Sequence, residues 1–273
     1  MLARTAGPKY NQYPCYVQPK LNGVRALYQN GVFQSRDEKV WKEGVLKHIL
    51  DELASFTEIG NLVLDGEFYC HGMRLQDING AIAVNRKEPC QNTGKICFHV
   101  FDVVDPYRKF SDRWFELYHG IVGAELPHVI AVPTAYAHNW KEVEQHFHVY
   151  TAHGYEGVML RPDGVYEFGR HVGRNGSDTT FRSRNLWKYK HWEDDEFVCV
   201  GITQGEGKAE IGIGALVLKC KDSDLTFGVG TGFTDADRIQ FAMYPPVGQM
   251  VKVRYLTLTG DKKPFNPSFL AVL

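Results

Sequence analysis

Gln18-Pro19-Lys20-Leu21-Asn22-Gly23-Val24-Arg25 sets one lysine in a strand-like run, two residues before Asn-Gly and five before an arginine. Val17 and Leu21 are apolar, and Val24 to Tyr28 is mostly apolar again. The pattern predicts strand, tight turn, strand, with Asn22-Gly23 supplying the positive φ of the turn. A lysine held on a buried strand has its pKa lowered by desolvation, and only the neutral amine is a nucleophile. Arg25 stays charged and suits ribose or phosphate recognition. Taken alone, the stretch reads first as a surface hairpin with a solvated lysine.

Further along lie other places where charge interrupts apolar strands. In Leu64-Asp65-Gly66-Glu67-Phe68 the two acids share a parity, and Gly66 admits a substrate close to the backbone. We read 61–70 as strand, turn, strand; an acid inside an apolar strand needs a cation or donor, whereas a hairpin turn leaves both acids solvated. Phe101 falls in the buried strand 96–104 (Ile-Cys-Phe-His-Val-Phe-Asp-Val-Val), as a core aromatic or a stacking platform. The strand Glu156-Gly157-Val158-Met159-Leu160-Arg161 opens on a carboxylate that suits Mg²⁺ or an amine. In Leu186-Trp187-Lys188-Tyr189-Lys190 two lysines point to one strand face, where an anion would relieve their repulsion.

Taken in order, these motifs resemble those of the covalent nucleotidyltransferases: DNA ligases, RNA ligases and mRNA capping enzymes. The first stretch is similar to K-x-D-G-x-R, with Asn22 in place of the usual aspartate. The others resemble the family's D-G-E, aromatic, E-G-[VL]-[MV]-[LI]-R and K-x-K motifs. Gly228-Val229-Gly230-Thr231-Gly232-Phe233-Thr234-Asp235, and Gly205-Glu206-Gly207-Lys208 before Gly212–Leu216, resemble the OB domain of ATP-dependent DNA ligases.

The resemblance implies an α+β nucleotidyltransferase domain with antiparallel sheets, followed by an OB-fold β-barrel. It implies that Lys20 attacks ATP to form lysyl-AMP, that AMP passes to the 5′-phosphate of a nick in duplex DNA, and that the 3′-hydroxyl displaces it. Gln18 is then placed to read adenine and Phe101 to stack on it. Arg25, Lys188 and Lys190 contact sugar or phosphates, and Glu67 and Glu156 hold ribose, amine and Mg²⁺, with Mn²⁺ as a substitute. Arg36 meets the nick phosphate. Arg170, Arg174, Arg182 and Arg184, in a loop rich in Gly, Arg, Asn and Ser over 164–185, supply a local basic face for DNA. Two other readings stand beside this one: an RNA ligase of the same superfamily, and a nick-binding protein without catalysis.

A net charge of -1 over 273 residues excludes a globally basic nucleic-acid coat, so DNA binding has to come from such a local face. The 44% of hydrophobic residues and 13% of aromatics fit a globular chain with one large or two medium domains. Six cysteines without CxxC or Cys/His spacing predict reduced thiols and no zinc site. With no apolar run of spanning length and no apolar signal core after Met1, we expect a cytoplasmic monomer in a bacterial or virus-infected cell, serving DNA repair, replication or recombination.

The boundary is expected at a charged run, giving domains 1–191 and 192–273. Apolar spacing predicts helices over 43–56, 112–123 and 140–153. Short β-type runs over 197–202, 213–220, 225–229, 249–257 and 268–272 predict the small barrel.

Overall fold

The computed structural model describes every residue except 36–37, 57–61, 169, 173–177, 191, 206–209, 211 and 260. The chain divides into two units, Met1–Tyr189 and Lys190–Leu273.

The elements of the first are β1 (Arg4–Thr5), β2 (Cys15–Lys20), β3 (Val24–Gln29), β4 (Val32–Ser35), α1 (Lys47–Ser55), β5 (Leu64–Tyr69), α2 (Leu75–Ala81) and β6 (Cys97–Val103). They continue with α3 (Phe110–Ala124), β7 (Val129–Ala131), β8 (Ala135–Ala137), α4 (Trp140–Ala152), β9 (Gly157–Pro162), β10 (Arg170–Val172), β11 (Asp178–Thr180) and β12 (Trp187–Lys190).

Two mostly antiparallel sheets are ordered β1-β12-β9-β2-β8 and β4-β3-β5-β6-β7. The second buries Phe33, Phe68 and Phe98 together with Ile49 and Leu53, which stand four apart on α1. The first buries Val17, Val158 and Leu160 with Val143 and Phe147 of α4. Pro19 has no N–H to give, and it falls beyond Val17, the last residue of β2 paired with β8.

The turn expected at Asn22-Gly23 is not a hairpin. β2 and β3 lie in different sheets, so residues 21–23 carry the chain from one sheet to the other. Neither Asn22 nor Gly23 has a positive φ. Gly23 is required for space: a Cβ there would lie 2.2 Å from the Phe68 carbonyl oxygen. The turn expected within 61–70 is absent too, because Leu64–Tyr69 is one continuous strand. At Gly66 a Cβ would meet the Phe98 ring at 2.6 Å, so this glycine makes room for a core aromatic rather than for a substrate. Asp65 is 2% exposed, which removes the solvated-acid reading. α2, β7 and β8 were not anticipated, and within 164–185 the strands β10 and β11 pair antiparallel.

The second unit comprises β13 (Glu193–Gln204), β14 (Ile213–Lys219), β15 (Thr226–Val229), α5 (Asp235–Met243), β16 (Met250–Tyr255), β17 (Thr257–Leu258), β18 (Pro264–Phe265) and β19 (Ser268–Val272). Its main sheet runs β15-β14-β13-β16-β19 around Cys199, Leu216, Leu218, Val251 and Val253. The acidic run at whose start the boundary was expected opens β13. There Asp194 stands opposite Arg254 and Glu196 opposite Lys252, and cross-strand cations make a strand tolerate acids. α5 interrupts what read as a loop between strands. Thr234 caps it and Asp237 completes a capping box, a signal present in Thr234-Asp235-Ala236-Asp237.

Candidate active site

Lys20 ends β2, in register with Gly157 of β9. The N–H of Glu156 donates to the Lys20 carbonyl at 3.1 Å, extending the ladder by one step. That pairing brings the Glu156 carboxylate onto the Lys20 amine as an ion pair. Both side chains are about one-fifth exposed, at 19% and 18%, so the pair faces an opening rather than bulk water. Asn22 is exposed. Its departure from aspartate therefore leaves the amine with a carboxylate, that of Glu156 just ahead of β9.

Glu67 of β5 stands between Arg25 of β3 and His99 of β6 in the sheet register. One of its oxygens accepts the Gly23 N–H at 2.6 Å. Burial pushes this carboxyl up to about 7, helped by Glu156, while Lys20 and the Gly23 N–H pull the other way. A buried, electron-rich oxygen pair beside a second carboxylate fits a hard cation. The described residues offer no group of three acidic, His or Cys ligands, so phosphate and water oxygens would complete Mg²⁺ coordination.

The proton on Glu67 competes with such a cation. Below about pH 7 each unit of pH should weaken apparent Mg²⁺ affinity by up to ~tenfold. Half-maximal Mg²⁺ concentrations at about pH 6 and about pH 8 check this; equal values would mean that Glu67 does not meet the metal. Without metal the sign is opposite: the raised carboxyl adds stability below 4.5, lost as pH rises through about 7.

Arg25 grips Asp65 with two bonds, 2.9 Å and 2.7 Å, and Tyr166 donates to the same carboxylate at 2.8 Å. Burial opposes ionisation of Asp65 most strongly, yet Arg25, the N-terminal ammonium and Tyr166 together hold the carboxyl below its usual range. Gln18 is 1% exposed. It donates to the Phe101 carbonyl at 3.2 Å and to Thr134 Oγ1 at 3.0 Å, and accepts from Arg161 at 2.7 Å. Its amide is thus engaged inside the protein. Phe101 is half-buried, with the Arg161 guanidinium over its ring.

Lys188 and Lys190 are half-buried on β12, separated from β2 only by β9. Arg182 and Arg184 are exposed, and Arg182 donates to the Ala3 carbonyl at 2.6 Å. Arg170 lies in β10, with its side chain outside the description; Arg36 and Arg174 lie outside the described residues. The expectations above did not single out Asp102, Arg113, Tyr166 or Arg161. A charge inside the apolar runs 96–104 and 156–161 was the available signal for Asp102 and Arg161, and Arg113 had none. All six cysteines are free, and no described helix is long and apolar enough to cross a membrane.

Two family patterns match the chain: the ATP dependent DNA ligase domain over residues 3–190 and the DNA ligase OB-like domain over residues 204–272. DNA ligases of African swine fever virus isolates are 31% identical over 208 residues, covering 72% of this chain and 46% of the viral protein. The chain therefore spans less than half the length of these relatives. Among solved structures, a Lig E DNA ligase superposes with a TM-score of 0.79 at 23% identity, over 100% of this chain and 98% of that one. The Chlorella virus DNA ligase-adenylate gives 0.55 at 26% identity, over 100% and 96%. The fold is thus a nucleotidyltransferase domain of mixed α+β type with an OB-like domain.

Proposed function

This chain belongs to the ATP-dependent DNA ligase domain family, and from that premise we propose that it seals nicks between a 3′-hydroxyl and a 5′-phosphate in duplex DNA, at the expense of ATP. The observation that carries the reading is the Lys20 amine paired with Glu156 beside Glu67, at the meeting of two sheets.

In this reading Lys20, after giving a proton to Glu156 or solvent, attacks the α-phosphorus of ATP. A P–N bond forms, the P–O bond to pyrophosphate breaks, and AMP remains on the lysine. AMP then passes to the 5′-phosphate of the nick, and the 3′-hydroxyl displaces it. Each step builds charge on phosphorus oxygens, so cation placement dominates catalysis. Lys188 and Lys190 serve the phosphates. Arg25, fixed by Asp65, lines the sugar side, and Phe101 stacks on the base. Gln18 braces that stack. Glu67 and Glu156 would hold Mg²⁺, which neutralises phosphate charge when bound.

The DNA ligase OB-like match supports DNA over RNA as the polymer. We take the acting form to be a monomer in the cytoplasm of a bacterial or virus-infected cell, with domains 1–191 for adenylation and 192–273 for the OB fold. The test is incubation with ATP labelled on the α-phosphate and Mg²⁺, then sealing of nicked DNA and nicked RNA in one buffer. We expect labelled protein and sealed DNA, and loss of both in EDTA. Preferential joining of RNA ends would move the protein to the RNA ligases. Binding without labelling would leave only a nick-binding role.

Arg182 and Arg184, together with Arg36, Arg170 and Arg174, are assigned to the DNA backbone. Arg182→Ala with Arg184→Ala should weaken nick binding and flatten the slope of log affinity against log salt by ~0.9 for each phosphate that is no longer neutralised. An unchanged slope would place the DNA elsewhere.

A further inference from the structure

Behind Phe101 lies a buried cluster of charge that the steps above do not use. Arg161 of β9, Asp102 of β6 and Arg113 of α3 have side chains exposed by 3%, 0% and 0%. Asp102 accepts two bonds from Arg113, 2.8 Å and 3.1 Å, and one from Arg161 at 2.7 Å. Two guanidiniums on one carboxylate leave one positive charge over. Aromatic faces take it up: the Arg161 guanidinium carbon is 5.2 Å from the Phe101 centroid and 5.0 Å from that of Phe110. Arg161 also holds Gln18, whose amide donates to the Phe101 carbonyl. One guanidinium therefore fixes Phe101 twice, through its ring and through its backbone.

We propose that Arg161 is a positioning residue for the nucleotide base. It locks the Phe101 ring and draws electron density from behind it, so that the ring presents a rigid, electron-poor platform to a purine. Rings attract through complementary charge distributions, and a platform held in place loses less freedom on binding. The inference rests on the ATP reading above.

The test compares Arg161→Met and Arg161→Lys, each with and without Phe101→Leu, in self-labelling by ATP. Arg161→Met should raise the KM for ATP about tenfold, with the maximal rate within about threefold of the unaltered protein. Arg161→Lys, which keeps the charge, should recover most of the loss. In the Phe101→Leu background, Arg161→Met should add less than about twofold, because the ring it acts through is gone. If Arg161→Met does not fold, Gln18→Met, which removes the side-chain link between Arg161 and the Phe101 carbonyl together with the Thr134 bond but leaves the guanidinium over the ring, must show the same KM-selective, Phe101-dependent loss. A lowered melting temperature with KM unchanged overturns the proposal, as does a full additional loss on Phe101→Leu. Absence of labelling in the unaltered protein overturns the ATP reading itself.

Discussion

Lys20→Ala is expected to abolish transfer of AMP from ATP to the protein, by more than about 10³-fold, or ~4 kcal/mol of barrier. The substitution removes the amine that would form the P–N bond, and no neighbour can replace it. Arg25 is committed to Asp65, and a guanidinium keeps its proton and is a poor nucleophile. The fold should survive, since Lys20 is 19% exposed and contributes an ion pair rather than core packing. The loss leaves Glu67 without the cation that holds its carboxyl down, so that carboxyl should hold its proton more tightly. Lys20→Arg sharpens the test. It keeps a positive charge for Glu156, so stability should stay near that of the unaltered protein while labelling is still lost. Labelled Lys20→Ala protein, with the label recovered on another residue, would remove Lys20 from the mechanism.

The lysine and the two acids drew attention because each breaks an apolar strand pattern, and such a break needs a physical reason; Phe101, itself apolar, was singled out through the resemblance. Which strands pair was not legible. The register that sets Glu156 on Lys20 joins segments 136 residues apart, and local pattern carries no information about it. The glycines were misread for the same reason. Asn-Gly and Asp-Gly-Glu look like turns locally, but Gly23 and Gly66 answer to the Phe68 carbonyl and the Phe98 ring. Gln18 was placed to read adenine by the family resemblance alone, and its pattern carried no sign of what its buried amide would meet. The partners turned out to be Arg161, Phe101 and Thr134, on other strands and loops. α5 was legible in principle from its cap, and was missed because the segment between the strand-like runs 225–229 and 249–257 reads as a loop.

Asp102→Ala is expected to be the most destabilising single change in the first unit, by ~3–5 kcal/mol. Asp102 is 0% exposed and joins α3 to β9 through two arginines. Without it two guanidiniums face each other in the interior with their strongest acceptor gone, and neither can shed its proton at ordinary pH. Whole domains are stable by only ~5–15 kcal/mol, so much of the protein should be unfolded or aggregated near 37 °C. Arg113→Met separates charge balance from packing. It leaves Arg161 and Asp102 as a one-to-one pair and fills similar volume, although the Arg108 and Gly164 carbonyls lose their Arg113 donor. Replacing one member of a buried ionic cluster by an apolar group of similar size can come near neutrality, so the cost should be well below that of Asp102→Ala. Urea unfolding followed by tryptophan fluorescence measures both. If Asp102→Ala costs less than about 1 kcal/mol, the cluster is hydrated in solution and the excess positive charge behind Phe101 does not exist as described. If Arg113→Met is as damaging as Asp102→Ala, α3 is held by the Arg113 hydrogen bonds themselves rather than by the balance of charge.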